Sequence, residues 1–252
     1  MPFKIPACDH EVFKRNFLSS VICQIKVQPI FRIASDTPPA DFQDKIRKQY
    51  PIVKKERAEQ VEVRGGDFRR TSLGNTWRFL SEDHLWQVTL DSAFIALETK
   101  NYKSFTEFRK KFEEIYDAFV TTYAPSRPER IGLRYNNLIR AVNIRTISDW
   151  TKWIKPELIG LIGSDSLIQE PVTHDFKELQ TIQEPGQLGI KHGLLRDQEK
   201  SQFYLIDIDR YIMGAKNQEE TSRFLAKFNE DCFNFFMWAI GEECVKWLRG
   251  GK

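Results

Sequence analysis

The chain has 252 residues, of which 41% are hydrophobic and 13% aromatic, enough to bury the core of one large domain or two fused halves. This composition excludes a wholly disordered protein. The formal net charge is +3, from 38 basic and 35 acidic residues, which excludes nucleic-acid binding by bulk charge but leaves a local patch open.

No segment of the sequence has the pattern of a membrane-inserting element. The N-terminal residues lack the apolar core of a signal peptide, and no apolar run reaches the roughly 18–20 residues that span a bilayer. The four cysteines form no C-x-x-C pair and have no histidine at metal-ligand spacing. We therefore predict buried, free thiols in a reducing cytoplasm, with no membrane partner. The cysteines are Cys8, Cys23, Cys232 and Cys244.

The first predicted element is a strand at 21–27, where apolar and more polar residues alternate. A short helix is predicted next, with Thr37 as its N-cap and Pro38 in the first helical position. Residues 54–72 are rich in charge and predict a short strand at 60–64 followed by a mobile loop.

A three-strand meander is predicted from 76 to 99, and the most strongly patterned helix follows at 104–122. Ser104 and Glu107 form a capping box at its start. Aromatic residues then recur at three- and four-residue spacing, a stripe that is far more often core than cofactor site. A strand at 128–142 rejoins the sheet.

The second half repeats this outline of strands followed by a helix. A short helix around Trp150 precedes strand material at 166–182. A hairpin is predicted from 187–195 and 202–210. A long helix at 218–248 closes the chain.

Runs of strands followed by helices favour an α+β fold over a doubly wound parallel one. We predict a mainly antiparallel sheet with amphipathic helices on one face. The chain divides into two similar strands-then-helix halves, 1–145 and 146–252, within one compact unit.

One strand carries a phrase that looks like a family signature, Gly132-Leu133-Arg134-Tyr135-Asn136-Asn137-Leu138-Ile139. It resembles Gly-Leu-Arg-Tyr-Ile-Asn-Arg-Ile, which is typical of a sporadically distributed bacterial family of uncharacterised proteins. Weaker matches lie in the 205–209 strand and at Asn229 on the last helix. The chain departs from the pattern at Asn136 and Leu138, which puts in doubt any role of the second arginine of the phrase.

The resemblance implies an α+β fold and a bacterial origin, and it implies no established activity. Sporadic distribution is typical of mobile or defence-linked genes, so a role in antiviral defence is an expectation of the same kind.

Three polar residues of this strand form a candidate binding site. Arg134, Asn136 and Arg140 share one face, and an arginine pair can clamp a phosphate or a carboxylate. The alternative is that Arg134 ties its strand to a neighbouring acid such as Glu98, which is the commoner use of a strand arginine.

The charged segment contains a second candidate site. A nucleic acid could be held by Lys54, Lys55, Arg69 and Arg70. Acidic residues are interspersed with these basic ones, which favours a solvated charged face instead.

Asp207 and Asp209 point to one face of a strand, and such a pair can hold Mg²⁺ or divide acid and base roles. No third acid or histidine is assigned to the same place. We therefore predict no metal site and no cofactor, with this pair as the one candidate for a metal.

The last helix is apolar on a second side, where it carries Phe233, Trp238 and Trp247. Such a surface must be covered by the rest of the chain or by a partner. These three residues are therefore candidate interface residues.

The sequence contains no P-loop, G-x-G-x-x-G, G-x-S-x-G or H-E-x-x-H phrase. The first hypothesis is therefore a non-enzymatic interaction protein, either a homodimer or an accessory subunit of a larger bacterial assembly. The alternative is a nucleic-acid or nucleotide binder that uses Arg134, Arg140 and the basic segment. A third hypothesis is a metal-dependent hydrolase that uses Asp207 and Asp209.

Overall fold

The computed structural model shows an α+β fold, as predicted, with nine strands in an antiparallel sheet. It describes residues 4–64, 67–164, 172, 174–199, 201–214 and 218–251, and for 57–64, 67–74 and 218 the main chain alone. The strands are β1 (Leu18–Lys26), β2 (Ile52–Arg64), β3 (Asp67–Leu80), β4 (Trp86–Asp91), β5 (Phe94–Thr99), β6 (Arg130–Ile139), β7 (Asp175–Ile182), β8 (Gln187–Arg196) and β9 (Gln202–Met213). Their order in the sheet is β2-β3-β4-β5-β1-β6-β9-β8-β7.

Two long helices and several short ones accompany the sheet. The helices are α1 (Phe31–Ala34), α2 (Ala40–Ile46), α3 (Phe105–Tyr123), α4 (Pro156–Ile159), α5 (Gln218–Ala239) and α6 (Glu242–Leu248), with 3₁₀ turns at Ile147–Lys152 and Gly160–Gly163. Within the described residues, none of these helices combines the length and the apolar character needed to cross a membrane.

The order of elements repeats along the chain. Each copy consists of one strand, short helices, an antiparallel meander and a long helix. β1 opens the first copy and β6 opens the second, and each lies in the sheet beside the last strand of its own meander. The second copy therefore begins at β6, ahead of the boundary predicted between 145 and 146.

The chain forms two compact units whose bounds differ from the predicted halves. One unit comprises Met1–Ser19, Arg134–Tyr211 and Ala226–Lys252, and the other comprises Ser20–Leu133 and Ile212–Leu225. In the first unit the two ends of the chain meet: Arg15 N donates to Leu248 O at 3.2 Å. Contacts between opposite ends of a sequence leave no local periodicity, so the pattern of residues did not show them.

Helix α3 confirms the strongest sequence prediction. The Ser104 hydroxyl accepts a hydrogen bond from Glu107 N at 3.2 Å, which caps the helix. Its aromatic stripe is buried, and the stripe includes Phe108, Phe112 and Phe119. The helix therefore contributes to the core of its unit.

The predicted start of the short helix α2 is wrong. The helix begins at Ala40, Pro39 occupies the N-cap position, and no side chain caps the helix. Pro39 disfavours the helical conformation for the residue before it, so Pro38 cannot occupy the first helical position. The apolar residues Phe42 and Ile46 of α2 are buried, and so is Tyr50 just after the helix.

The strand predicted at 60–64 is present but begins earlier, at Ile52, and the loop predicted after it is wrong from residue 67, where β3 begins. Strands β2 and β3 pair from Ile52 opposite Leu80 as far as Arg64 opposite Asp67, with one irregularity near Ala58. Each strand supplies the hydrogen-bonding partners of the other, so this charged ribbon forms without an alternating apolar face. The Gly65–Gly66 pair lies outside the described residues.

The long C-terminal helix is broken after Ala239, and Gly241 is the N-cap of α6. Gly241 N donates to Trp153 O at 2.7 Å, and a Cβ at this position would lie 2.3 Å from Lys152 O. Only glycine lets the two main chains approach so closely. The break was not predicted because the apolar pattern continues through it.

Candidate functional site

The candidate site is the exposed edge of β7. In the described part of the chain, β7 ends the sheet and pairs with β8 alone. Three of its apolar side chains are exposed: Phe176 at 40%, Leu179 at 45% and Ile182 at 68%. Most residues of this strand contact water, unlike those of a strand covered by a helix. Residues 165–171 and 173, which include the first part of the predicted strand, lie outside the described residues.

The main-chain groups of this edge can be assigned from the turn that joins β7 to β8. Gln183 N donates to Gly186 O at 3.1 Å, and Ile182 lies opposite Gln187. Main-chain groups of alternate residues point the same way in an antiparallel strand, so the odd-numbered residues of β7 bond to β8. The residues whose N–H and C=O groups point away from β8 are Phe176, Glu178, Gln180 and Ile182.

The charges on β7 are paired within its own hairpin. Lys177 forms an ion pair with Asp175, and Lys191 Nζ lies 3.3 Å from Glu178 Oε1. The exposed edge therefore combines main-chain groups that point away from β8 with apolar side chains and few uncompensated charges.

The other end of the sheet is protected differently. On β2 the described side chains of Lys54, Lys55 and Glu56 are all charged and exposed. Charged side chains discourage pairing at a sheet edge. Among the described side chains of the two edge strands, those of β7 have the exposed apolar character that favours association.

A buried ion pair holds the β7–β8 turn in place. The Arg210 guanidinium is 0% exposed and lies 2.9 Å from Asp231 Oδ2 on α5. It also donates to Gln187 O at 2.8 Å and to Pro185 O at 3.1 Å, within a turn that contains the cis Glu184–Pro185 bond. The sequence offered one signal for this network, because Arg210 lies on the same face of the predicted strand as the apolar Ile206 and Ile208.

The predicted binding and metal candidates on the sheet pair with each other. Arg134 donates to both carboxylate oxygens of Asp207, with Nε 2.7 Å from Oδ1. This hydrogen bond is the main reason why the pKa of Arg134 is raised, and the charge of the half-buried Asp209 adds to it. The expected ion pair of Arg134 is therefore present, with Asp207 in place of Glu98 as its acid.

The remaining members of the predicted arginine site have partners of their own. Arg140 Nη1 lies 2.9 Å from Asp197 Oδ2, and its guanidinium lies over the Phe203 ring. Asn136 is half-buried, and its main-chain carbonyl accepts a hydrogen bond from the Ser19 hydroxyl at 3.2 Å. Because Arg134 and Arg140 pair with different acids, the two arginines do not form one anion clamp.

The segments that carry the family resemblance contact each other. Besides the ion pair of Arg134 with Asp207, the Tyr135 hydroxyl lies 2.7 Å from Asn229 Oδ1. Asn137 donates to Ile206 O at 3.2 Å. The phrase therefore connects its strand to β9 and α5, which is a structural role.

The basic candidates of the charged segment lie on the β2–β3 ribbon. Lys55 donates to Asp36 at 2.6 Å and lies over the Trp77 ring, while Lys54 is exposed. The side chains of Arg69 and Arg70 lie outside the described residues. In the register of the ribbon, Arg69 stands opposite Glu62 and Arg70 opposite Val61.

The candidate interface on the C-terminal helices is covered by the chain itself. The ring of His10 stacks on Phe233 with centroids 4.5 Å apart, and that of Phe17 stacks on Trp247 at 4.1 Å. Trp238 is half-buried against Phe235. The N-terminal segment thus covers Phe233 and Trp247, which is one of the two kinds of cover that the sequence allowed, whereas Trp238 contacts its own helix.

Among the described residues, no group of three or more histidine, cysteine or acidic side chains is placed to hold a metal ion. Cys23, Cys232 and Cys244 are buried as predicted, and burial raises the pKa of each thiol. A protonated, enclosed thiol is a poor nucleophile. The half-buried Cys8 donates its thiol hydrogen to Asn234 Oδ1 at 3.1 Å.

His192 and Tyr204 form a buried hydrogen-bonded pair that the sequence did not indicate. His192 Nδ1 lies 2.8 Å from the Tyr204 hydroxyl, which donates to Leu158 O at 3.2 Å. Burial lowers the pKa of His192, and the charge of Lys177 lowers it further. The imidazole is therefore neutral near pH 7.

No family model matches the chain, and no curated protein is significantly similar to it.

Proposed function

We propose that this protein is a non-enzymatic interaction protein that joins a larger assembly through the exposed edge of β7. The observation that carries the proposal is the coincidence of outward main-chain groups with exposed apolar side chains on one strand. Such an edge binds another extended segment by adding a strand to the sheet. A bacterial assembly is the setting that the family resemblance implies.

The polar candidates give less support to the other functions. Arg134 forms an ion pair with Asp207, so Asp207 is not available to share a metal ion with Asp209 and Arg134 is not available to bind an anion. An exposed surface that combines β-strand hydrogen-bonding groups with apolar side chains is instead typical of a protein-binding site.

Nucleic-acid binding by the β2–β3 ribbon is the second candidate. β4 pairs with residues 77–80 of β3, so most of the ribbon extends beyond it as a two-stranded arm. An arm of this shape fits the major groove of DNA. The register lowers this support, because it places Arg69 opposite Glu62 and Arg64 opposite Asp67.

The test compares native masses in extracts of cells that express a tagged chain, each extract measured with and without nuclease treatment. We expect the wild type to elute well above its own 29.6 kDa. The variant Leu179→Lys/Ile182→Lys should elute at lower mass, because charges on an edge strand oppose pairing. The matched control is Val12→Lys/Phe31→Lys, which changes exposed apolar residues elsewhere and should behave like the wild type.

Identical elution of the wild type and the β7 variant would overturn the proposal. Extra mass that nuclease removes would favour the ribbon and nucleic acid instead.

A further inference from the structure

We propose that the partner of β7 is β7 of a second copy of this chain, paired antiparallel about a two-fold axis that passes beside Leu179. This inference rests on the proposed function and names its partner. It is carried by the order of side chains along β7 and by the direction of the main-chain groups.

Symmetry restricts the registers in which β7 can pair with itself. In a closed dimer the same surface contacts itself, so a two-fold axis perpendicular to the sheet sets one residue opposite its own copy. Each register is therefore named by its central residue, and positions equally far on either side of that residue face each other.

The register centred on Leu179 matches every exposed apolar side chain of β7 with another. Leu179 lies opposite Leu179 of the second copy, and Phe176 lies opposite its Ile182. Lys177 then faces Thr181, so no charge meets a like charge. Apolar cross-strand pairs stabilise a sheet, and this register provides three of them, counting both copies of the Phe176 pair.

The neighbouring registers are less favourable. A centre at Lys177 or at Glu178 sets two like charges directly opposite each other, which is destabilising. A centre at Gln180 places Ile182 opposite Glu178 and leaves Leu179 facing a threonine. Self-complementarity is thus specific to the register centred on Leu179.

The main-chain groups agree with this register. Phe176, Glu178, Gln180 and Ile182 point their N–H and C=O groups outward, as the bond from Gln183 N to Gly186 O shows. In the proposed pairing these residues face one another, Phe176 with Ile182 and Glu178 with Gln180. Four such pairs, each exchanging two hydrogen bonds, provide about eight bonds across the interface.

The first experiment measures the mass of the purified chain by analytical ultracentrifugation across a range of concentrations. We expect a dimer of twice 29.6 kDa. Glu178→Pro removes an outward N–H from each copy and leaves the bonds to β8 intact, so the dissociation constant should rise at least about tenfold. Glu178→Ala, which loses the same side chain but keeps the N–H, is the matched control and should dimerise like the wild type.

The second experiment tests the register by disulfide formation, in a Cys8→Ser background. Leu179→Cys sets the two new thiols directly opposite each other at a closely spaced pair, so mild oxidation should produce a covalent dimer. Thr181→Cys lies on the same face, but its copies are about 14 Å apart along the strands, so it should remain uncrosslinked.

The outcomes separate this inference from the proposed function. A monomeric purified chain, together with β7-dependent assembly in the extract, would overturn self-pairing and leave the interaction function intact. A dimer in which Thr181→Cys crosslinks as readily as Leu179→Cys would overturn the register. A monomer with no β7-dependent assembly in the extract would overturn both.

Discussion

At the scale of single residues, the buried Arg210 has the largest consequences. Its guanidinium is fully enclosed, contacts Asp231 and two carbonyl groups, and lies 4.8 Å from the centre of the Phe228 ring. A buried charge is tolerated only when its partners replace water. The network therefore ties the turn before β8 to α5.

Removal of one partner should expose the cost of this buried charge. We expect Asp231→Ala to lower the free energy of unfolding by about 3–5 kcal/mol, because Arg210 would stay buried without its counter-ion. Glu230→Ala removes an exposed ion pair with Lys227 on the same helix and should cost less than about 1 kcal/mol. Urea denaturation measures both, and equal losses would show that the network does not stabilise the fold.

His192 should make stability depend on pH. Burial lowers the pKa of His192 in the folded protein, whereas the pKa of a histidine in an unfolded chain is about 6.5. As the pH is lowered, the unfolded state therefore binds a proton at a higher pH than the folded state does. The free energy of unfolding decreases as the pH drops from about 6.5 toward the lower pKa of His192 in the folded protein. Urea unfolding between pH 7.5 and 5 should show this fall.

The same pH series on His192→Gln separates this histidine from other groups. In His192→Gln, the free energy of unfolding should fall less between pH 7.5 and 5 than in the wild type. In the control His174→Gln, which changes an exposed histidine, it should fall as in the wild type. An unchanged decline in His192→Gln would assign the pH dependence to other residues.

At the scale of elements, the sequence predicted those whose pattern is local. The α3 stripe, the β3–β4–β5 meander and the β8–β9 hairpin follow from periodicities of 3.6 and 2. The β2–β3 ribbon was missed because each strand depends on its partner. Phe176, Leu179 and Ile182 were also missed as a candidate site. Their spacing puts apolar residues on both faces of β7, a pattern that by itself favours a buried strand, and only the sheet order shows that this strand lies at an edge.

The break between α5 and α6 depends on Gly241. We expect Gly241→Ala to destabilise the protein by about 1–3 kcal/mol, because the new methyl group would overlap Lys152 O. Gly189→Ala is the control, since its Cβ would approach no closer than 3.8 Å to Asp209 O. Thermal unfolding measures both changes, and equal midpoints would show that the close approach at Gly241 relaxes without cost.

At the scale of the whole molecule, salt distinguishes the two candidate functions. A dimer held by main-chain hydrogen bonds and apolar pairs should keep its mass between 0.1 and 1 M NaCl, because those contacts are little affected by screening. Nucleic acid held by Lys54 and the ribbon should dissociate over the same range. Sedimentation at several salt concentrations checks this, and a mass that falls with salt would contradict the edge-strand interface.

The sequence by itself determined the fold class, the identity of most strands and helices, and the burial of the aromatic stripe. These features depend on residues within a few positions of each other, whose periodicity is visible in one dimension. Only the tertiary structure decided that Arg134 meets Asp207, that the N-terminal segment covers Phe233 and Trp247, and that β7 ends the sheet. The reason is physical: ion pairs, covered surfaces and sheet edges depend on which distant segments become neighbours, and that is set by the packing of the whole chain.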